Sequence, residues 1–263
     1  MNNIECLKDK KLFIFDVDGT IALSGVAFGF AQRVFCALKS QGKKTCIMTN
    51  NSSKTPAQYL ESLKSFGLSE DVSIITSLDI SLDYLMKNNI SNMYWAANTN
   101  VSRYISSRGF TFEKENPQCI LLTYDTELNY AKLLDITRLL HRSIPFYVTH
   151  TDMVCPTNLG YPVPDVGSFM ALIKASTGKD PDKSFGKPNP EGILEAIKHM
   201  GFTPDEAVMF GDRLYTDILF ANNACISSVL VLSGETTRKM YEKSDIQADF
   251  AMESIEGLIE LFR

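Results

Sequence analysis

Basic charge, paired cysteines and long apolar runs are what this sequence lacks. Its formal charges sum to −5, so no basic excess exists to neutralise phosphates in bulk. Nucleic acid and anionic membrane are thereby disfavoured as main partners. The six cysteines (Cys6, Cys36, Cys46, Cys119, Cys155 and Cys225) are scattered. None pair at metal-ligand spacing, and several sit inside apolar runs, as buried free thiols do. A disulfide framework or a zinc site is therefore not expected, and a reducing cytoplasm is the natural setting. No apolar run approaches membrane-spanning length, and the opening "MNNIECLKDKK" has no signal-peptide core. The expectation is a soluble protein without a classical export signal. No internal repeat, low-complexity tract or long linker interrupts the chain.

What is present is an ordinary globular composition, 44% hydrophobic and 22% charged over 263 residues, enough to bury a large core. Strand-like and helix-like stretches alternate from start to finish, which predicts an α/β fold with a doubly wound, Rossmann-like parallel sheet. "KKLFIF" reads as the first buried strand and residues 26 to 40 as a helix. "GKKTCIMT" is a second strand, and Thr55-Pro56 starts a helix that Gly67 stops. The middle also alternates: strands at "SNMYWAAN", "QCILLTYD" and "IPFYVTH", helices over 128 to 142 and 166 to 177. The last third has a helix from Pro190, the strand "EAVMFGD", a helix after Asp217 and the strand "SSVLVLSG". The expected organisation is a core built from residues 1–78 and 180–263, with 79–179 inserted as a second unit.

The chemistry-bearing residues follow buried strands or open helices. Asp16 and Asp18 end the first strand in "FDVDGT". Thr49, Asn50 and Asn51 end the next. Lys187 opens a helix in "GKPNPEGI", and Asp212 ends "VMFGD", with Asp217 five residues on. In a doubly wound sheet ligands sit beyond the carboxyl ends of the strands, where these groups can converge. Each stretch by itself is turn, cap or loop chemistry; their order and shared placement argue for a site.

Two carboxylates about 4 Å apart repel by roughly 4 kcal/mol at an effective dielectric near 20. A third, Asp212, calls for a cation, and oxygen ligands without His or Cys favour Mg²⁺. A lysine with hydroxyl, amide and backbone N–H donors then completes a phosphoryl pocket. Asp16 is free to attack in line and form an aspartyl-phosphate, while Asp18 can protonate the leaving oxygen and later activate water.

"FDVDGTI", "IMTNNSSKT", "GKPNP" and "MFGDRLYTDI" resemble the four motifs of the haloacid dehalogenase superfamily of aspartate-nucleophile phosphatases. "TNNSSKT" and the central insertion resemble its NagD-like subclass, which includes nitrophenylphosphatases and pyridoxal-phosphate phosphatases. The resemblance spans nearly the whole chain and makes the insertion an α/β cap domain. It implies that Asp16 is nucleophile and metal ligand, and that Asp18 is acid/base and binds the metal through its carbonyl. Thr49, Asn50 and Asn51 would bind phosphate, Lys187 would neutralise it, and Asp212 would be the third ligand. Asp217 would support the metal shell or orient Lys187. Relatives often pair through their caps, so the resemblance also implies a homodimer.

One departure stands out. Where relatives usually carry Asn-Pro-Asp after the third cap strand, this chain reads "THTDMVCP", which makes His150 and Asp152 candidates for substrate selection. Sugar phosphates, nucleotides, pyridoxal phosphate and small acid phosphates all fit the sequence as substrates. A phospho-Asp signalling or binding module without turnover is the alternative. Receiver domains use similar groups, but they are about half this length and lack an acid at the position of Asp18. A silent binding protein would be missing a motif residue, and phosphomutase chemistry stays open.

Overall fold

The computed structural model describes residues 4–68, 71–157 and 159–263. Six parallel strands form the larger sheet in the order Phe250–Met252, Ser227–Val231, Ala207–Gly211, Leu12–Phe15, Lys44–Thr49, Ser73–Thr76. Numbered along the chain this is 6-5-4-1-2-3, so the strand order reverses between Leu12–Phe15 and Ala207–Gly211. Such a reversal opens a crevice at the carboxyl ends of the two strands, which is where ligands bind in sheets of this kind.

Both faces of the sheet are covered, which is why its strands read as continuous apolar runs. Phe13 and Phe15 point to one face and pack with Phe210, Val34, Phe35, Leu38, Tyr59 and Leu63. Leu12 and Ile14 point to the other, with Met209, Ile193, Ile197 and Phe220. Alternation with period two puts successive side chains into different cores.

A second parallel sheet has the order Lys183–Ser184, Phe146–Val148, Ile120–Leu122, Asn92–Ala96, Thr111–Phe112. Helices Tyr130–His141 and Val166–Thr177 cover one face, and Ser77–Lys87 with Thr99–Ser107 the other. Helix Ser77–Lys87 touches both sheets: Ile80 joins the larger sheet's core, and Leu78, Leu82 and Leu85 the smaller one's. The expected edge at 78/79 falls inside this helix, and strand Lys183–Ser184 lies just past the edge at 179/180.

Two local expectations change. The helix expected over 26–40 covers only Ala31–Ser40. Ahead of it Ala22–Leu23 and Val26–Ala27 form an antiparallel hairpin, because Ser24 and Gly25 both adopt positive φ, which suits a two-residue hairpin turn and breaks a helix. The helix expected after Asp217 starts earlier, as a π-helical turn over Leu214–Ile218 that runs into Leu219–Asn223. Asp217 therefore sits inside the turn, buried. The caps at Thr55, with Gln58 completing a capping box, and at Gly178 form as read. Among the described residues no helix is long and apolar enough to cross a membrane.

Candidate active site

One crevice at the strand-order reversal brings together Asp16, Asp18, Thr49, Asn50, Asn51, Lys187 and Asp217, and Asp152 from the loop after Phe146–Val148. Asp212 borders it, its carboxylate within metal-sharing distance of those of Asp16 and Asp217. Asp16 follows the first strand and donates its N–H to Phe210 O, at 2.9 Å, which continues the ladder to the neighbouring strand. The chain then turns at Gly19, whose φ is +89°; a Cβ there would lie 2.3 Å from Asp212 Oδ2. Only glycine allows this close approach of the first loop to the fourth strand's acid.

Lys187 is the hub. It is 2% exposed, and its Nζ donates to Asp16 Oδ1 at 2.5 Å, Asp217 Oδ1 at 2.6 Å and Met48 O at 3.1 Å. Burial works against its charge, but Asp16 and Asp217 outweigh that and raise its pKa. The ammonium is therefore permanent. One lysine cannot balance the three carboxylates of Asp16, Asp212 and Asp217. Burial accordingly raises Asp16 to about 7 despite the pull of Lys187, with Asp217 and Asp18 adding to the rise. Burial also raises Asp18, against a backbone hydrogen bond from Ser24 and the charge of Arg213. Asp212 is pushed up by burial first, then by Asp217 and Asp16.

A hard divalent cation fits this arrangement. Ligand atoms of Asp16, Asp212 and Asp217 lie within 4.8 Å of one another. Asp212 Oδ2 accepts the Glu235 N–H at 2.6 Å, whereas its Oδ1 is buried with no hydrogen-bond partner among the described residues. An orphaned buried carboxylate oxygen is expensive unless something charged meets it. Asp217 is the poorest ligand of the three, because Oδ1 is held by Lys187 and Oδ2 accepts the Arg213 N–H at 3.0 Å. Its geometry suits orienting Lys187.

The remaining expected residues divide. Thr49 Oγ1 accepts the Asn51 N–H at 3.1 Å, which leaves its own hydrogen to donate elsewhere. The Asn50 side chain is fully occupied: Oδ1 accepts the Lys187 N–H at 2.8 Å, and Nδ2 donates to Lys187 O at 2.9 Å and Asp152 Oδ1 at 3.1 Å. It braces the lysine loop instead of offering an amide to a ligand. Asn51 Oδ1 takes the N–H and hydroxyl of Ser53.

His150 does not face the crevice. It is 0% exposed, with Nδ1 3.1 Å from Thr149 Oγ1 and Nε2 3.0 Å from Asp165 Oδ1. Both ring nitrogens are committed inside the smaller unit, so the expectation that it touches substrate is corrected to a buried structural histidine. Asp152 does line the crevice, but both its oxygens are also committed. Cys155 and Pro156, from the "THTDMVCP" stretch that the sequence marks out, line it too, as do Arg213 and Asp165, which sequence reading did not single out. An arginine immediately after a buried acid was the only signal for Arg213.

Comparisons agree with this geometry. The haloacid dehalogenase-like hydrolase family matches residues 13–111, and a HAD-hydrolase-like family matches 184–258. The structure superposes on 4-nitrophenylphosphatase from Thermotoga maritima with a TM-score of 0.93 and 33% identity, covering 98% of this chain and 99% of that one. A solved putative NagD protein gives 0.89 and 32%, over 96% and 98%. The 5'-nucleotidase YutF of Bacillus subtilis is 28% identical over 89% of this chain and 91% of its own. With the motif residues gathered at one crevice and similarity running end to end, the chain belongs to the haloacid dehalogenase-like hydrolases, in their NagD-like branch, and is a phosphoric monoester hydrolase.

Proposed function

We propose that the chain hydrolyses small-molecule phosphate monoesters, such as sugar phosphates or nucleotides, through a phospho-aspartate on Asp16, with Mg²⁺ as its cofactor. The observation that carries this reading is the Asp16 carboxylate at the strand-order reversal. Lys187 Nζ fixes its Oδ1 at 2.5 Å, and Asp18 stands beside it in the same crevice.

Asp16 Oδ2 attacks phosphorus in line, the bond from phosphorus to the ester oxygen breaks, and Asp18 gives its proton to the departing alcohol. The burial that raises the Asp18 carboxyl favours the protonated form this step needs. Asp18 then takes a proton from water, which attacks the phospho-aspartate, frees inorganic phosphate and restores Asp16. Lys187, whose three N–H groups meet Asp16, Asp217 and Met48, contributes its positive charge to the phosphoryl group, and the Thr49 hydroxyl can donate to a phosphoryl oxygen. Asp16, the Asp18 carbonyl and Asp212 would hold Mg²⁺, which supplies charge neutralisation to the carboxylates and the phosphoryl group.

In this reading the larger sheet is the catalytic core and the smaller one, within roughly 79–179 and the adjoining strand Lys183–Ser184, is the cap. Pairing of two copies through their caps and a cytoplasmic setting belong to the same reading; all six cysteines being free suits a reducing compartment.

The test is trapping. Enzyme quenched in acid after mixing with 4-nitrophenyl phosphate should carry phosphate on Asp16 by mass spectrometry. Asp16→Asn should show neither adduct nor turnover. Normal turnover by Asp16→Asn, or an adduct on another residue, sinks the assignment.

A further inference from the structure

Asp152 lies in the smaller unit, yet its bonds to the larger one lead to the catalytic lysine. Asp152 Oδ1 accepts from Asn50 Nδ2 at 3.1 Å, and Asp152 Oδ2 from Arg213 Nη1 at 3.1 Å. The three residues are buried, with Asp152 7% and Arg213 8% exposed. Both partners lead to Lys187. Asn50 holds the Lys187 main chain from both sides, through its N–H and its C=O. The Arg213 N–H holds Asp217 Oδ2, and Asp217 Oδ1 holds Lys187 Nζ. A single carboxylate from the second unit thus closes two routes to one lysine, one ending on its main chain and one on its ammonium.

Electrostatics give the contact direction. The Arg213 guanidinium is buried and meets Asp152 Oδ2 through Nη1 at 3.1 Å. Glu235 Oε2 lies 3.0 Å from Arg213 Nε, so loss of Asp152 leaves a buried guanidinium with half its compensation. A buried pair opened on one side is strongly destabilising locally. The relief available is for Arg213 to move, and its backbone N–H moves with it.

We infer that Asp152 and Arg213 form a latch between the two units that positions Lys187 for phosphoryl transfer. Asp152 is then a positioning residue and does not select substrates. The inference rests on the proposed role of Lys187 in catalysis. It separates from a specificity role because Lys187 faces the phosphoryl group common to every ester, so losing the latch must slow all substrates alike.

The experiment uses the full-length chain with Mg²⁺ and a panel of aryl, sugar and nucleotide monophosphates. Asp152→Ala should lower kcat by about 10- to 100-fold, the range that a small misplacement of a catalytic group produces, with KM nearly unchanged and the ranking of the panel kept. Asp152→Asn, which retains an acceptor for one partner only, should fall in between and keeps the test alive should the alanine variant fail to fold. In a Lys187→Met background either substitution should cost less than about twofold, since there is no lysine left to position. Independently of turnover, the Lys187 amide proton, which Asn50 protects, should exchange faster in Asp152→Asn. A re-ranked panel, an equal loss in both backgrounds, or unchanged exchange at Lys187 overturns the latch. A parent enzyme that hydrolyses none of the esters refutes the proposed function, and the exchange measurement still judges the latch.

Discussion

Lys187 carries the electrostatics of the site at the scale of single residues. Its ammonium touches two carboxylates and a carbonyl, so Lys187→Ala removes a preorganised donor for the phosphoryl group and leaves those acids facing each other. The loss of transition-state stabilisation should be on the order of 2–4 kcal/mol in kcat/KM; a variant within twofold of the parent contradicts this. Asp16 makes a pH prediction. Its carboxyl titrates at 3.8 in an ordinary setting and at about 7 here, chiefly through burial. Across that interval the folded metal-free protein keeps a proton that the unfolded chain has lost. This group's share of stability is therefore fully present below about 3.8 and is lost as the pH rises to about 7. In EDTA the parent's Tm should fall more steeply between pH 5 and 8 than that of Asp16→Asn (working conditions about that range). Parallel curves contradict the shift.

Elements distribute the work differently from single side chains. The loop after Phe146–Val148 fixes the smaller unit through His150, and touches the crevice through Asp152, Cys155 and Pro156. His150→Ala should cost about 1–3 kcal/mol of stability, since it removes two buried hydrogen bonds, to Thr149 and Asp165, and should leave the ranking of substrates unchanged. Thermal melts and a substrate panel on the same preparation check both halves. On the proposed function, selection among leaving groups is expected instead from the hairpin Val154–Cys155 with Val163–Pro164. Its side chains Val154, Pro156, Tyr161 and Pro162 meet Leu23 of the larger unit across a groove that also reaches Gly19 and Asp212. Tyr161 is 61% exposed, so Tyr161→Ala should leave the fold intact and change kcat/KM for aryl phosphates relative to sugar phosphates. Equal change for both removes the hairpin from specificity.

On the proposed metal assignment, folding of the whole molecule is coupled to the cation. Carboxylates that repel one another in the metal-free protein would become ligands to a divalent ion. Occupancy at about 100 times Kd adds roughly 2.7 kcal/mol. Mg²⁺ should therefore raise Tm, and raise it more at pH 8 than at pH 5.5, because at the lower pH the ion must displace a proton from Asp16 (conditions set about the shifted value). Activity should vanish in excess chelator and return with Mg²⁺ and not with Zn²⁺ alone. Full activity in chelator, or a Tm indifferent to Mg²⁺, contradicts the metal assignment.

By itself the sequence determined the α/β alternation and the acids, lysine and small polar residues of the crevice. These are local properties: apolar runs buried on both faces, cap residues such as Thr55 and Gly178, and reactive groups set directly after strands. Tertiary structure decided what each of those groups is free to do. Asn50 reads as an amide for phosphate until the fold brings Lys187 and Asp152 to it, 137 and 102 residues away along the chain. His150 reads as a substrate contact at a strand end until Asp165 occupies its second nitrogen. Arg213 carries no sequence expectation at all, and only the fold, by burying it, pairs it with two carboxylates from distant loops. A polar side chain's role is set by which of its atoms remain unpaired once buried, and those partners come from residues remote in the chain.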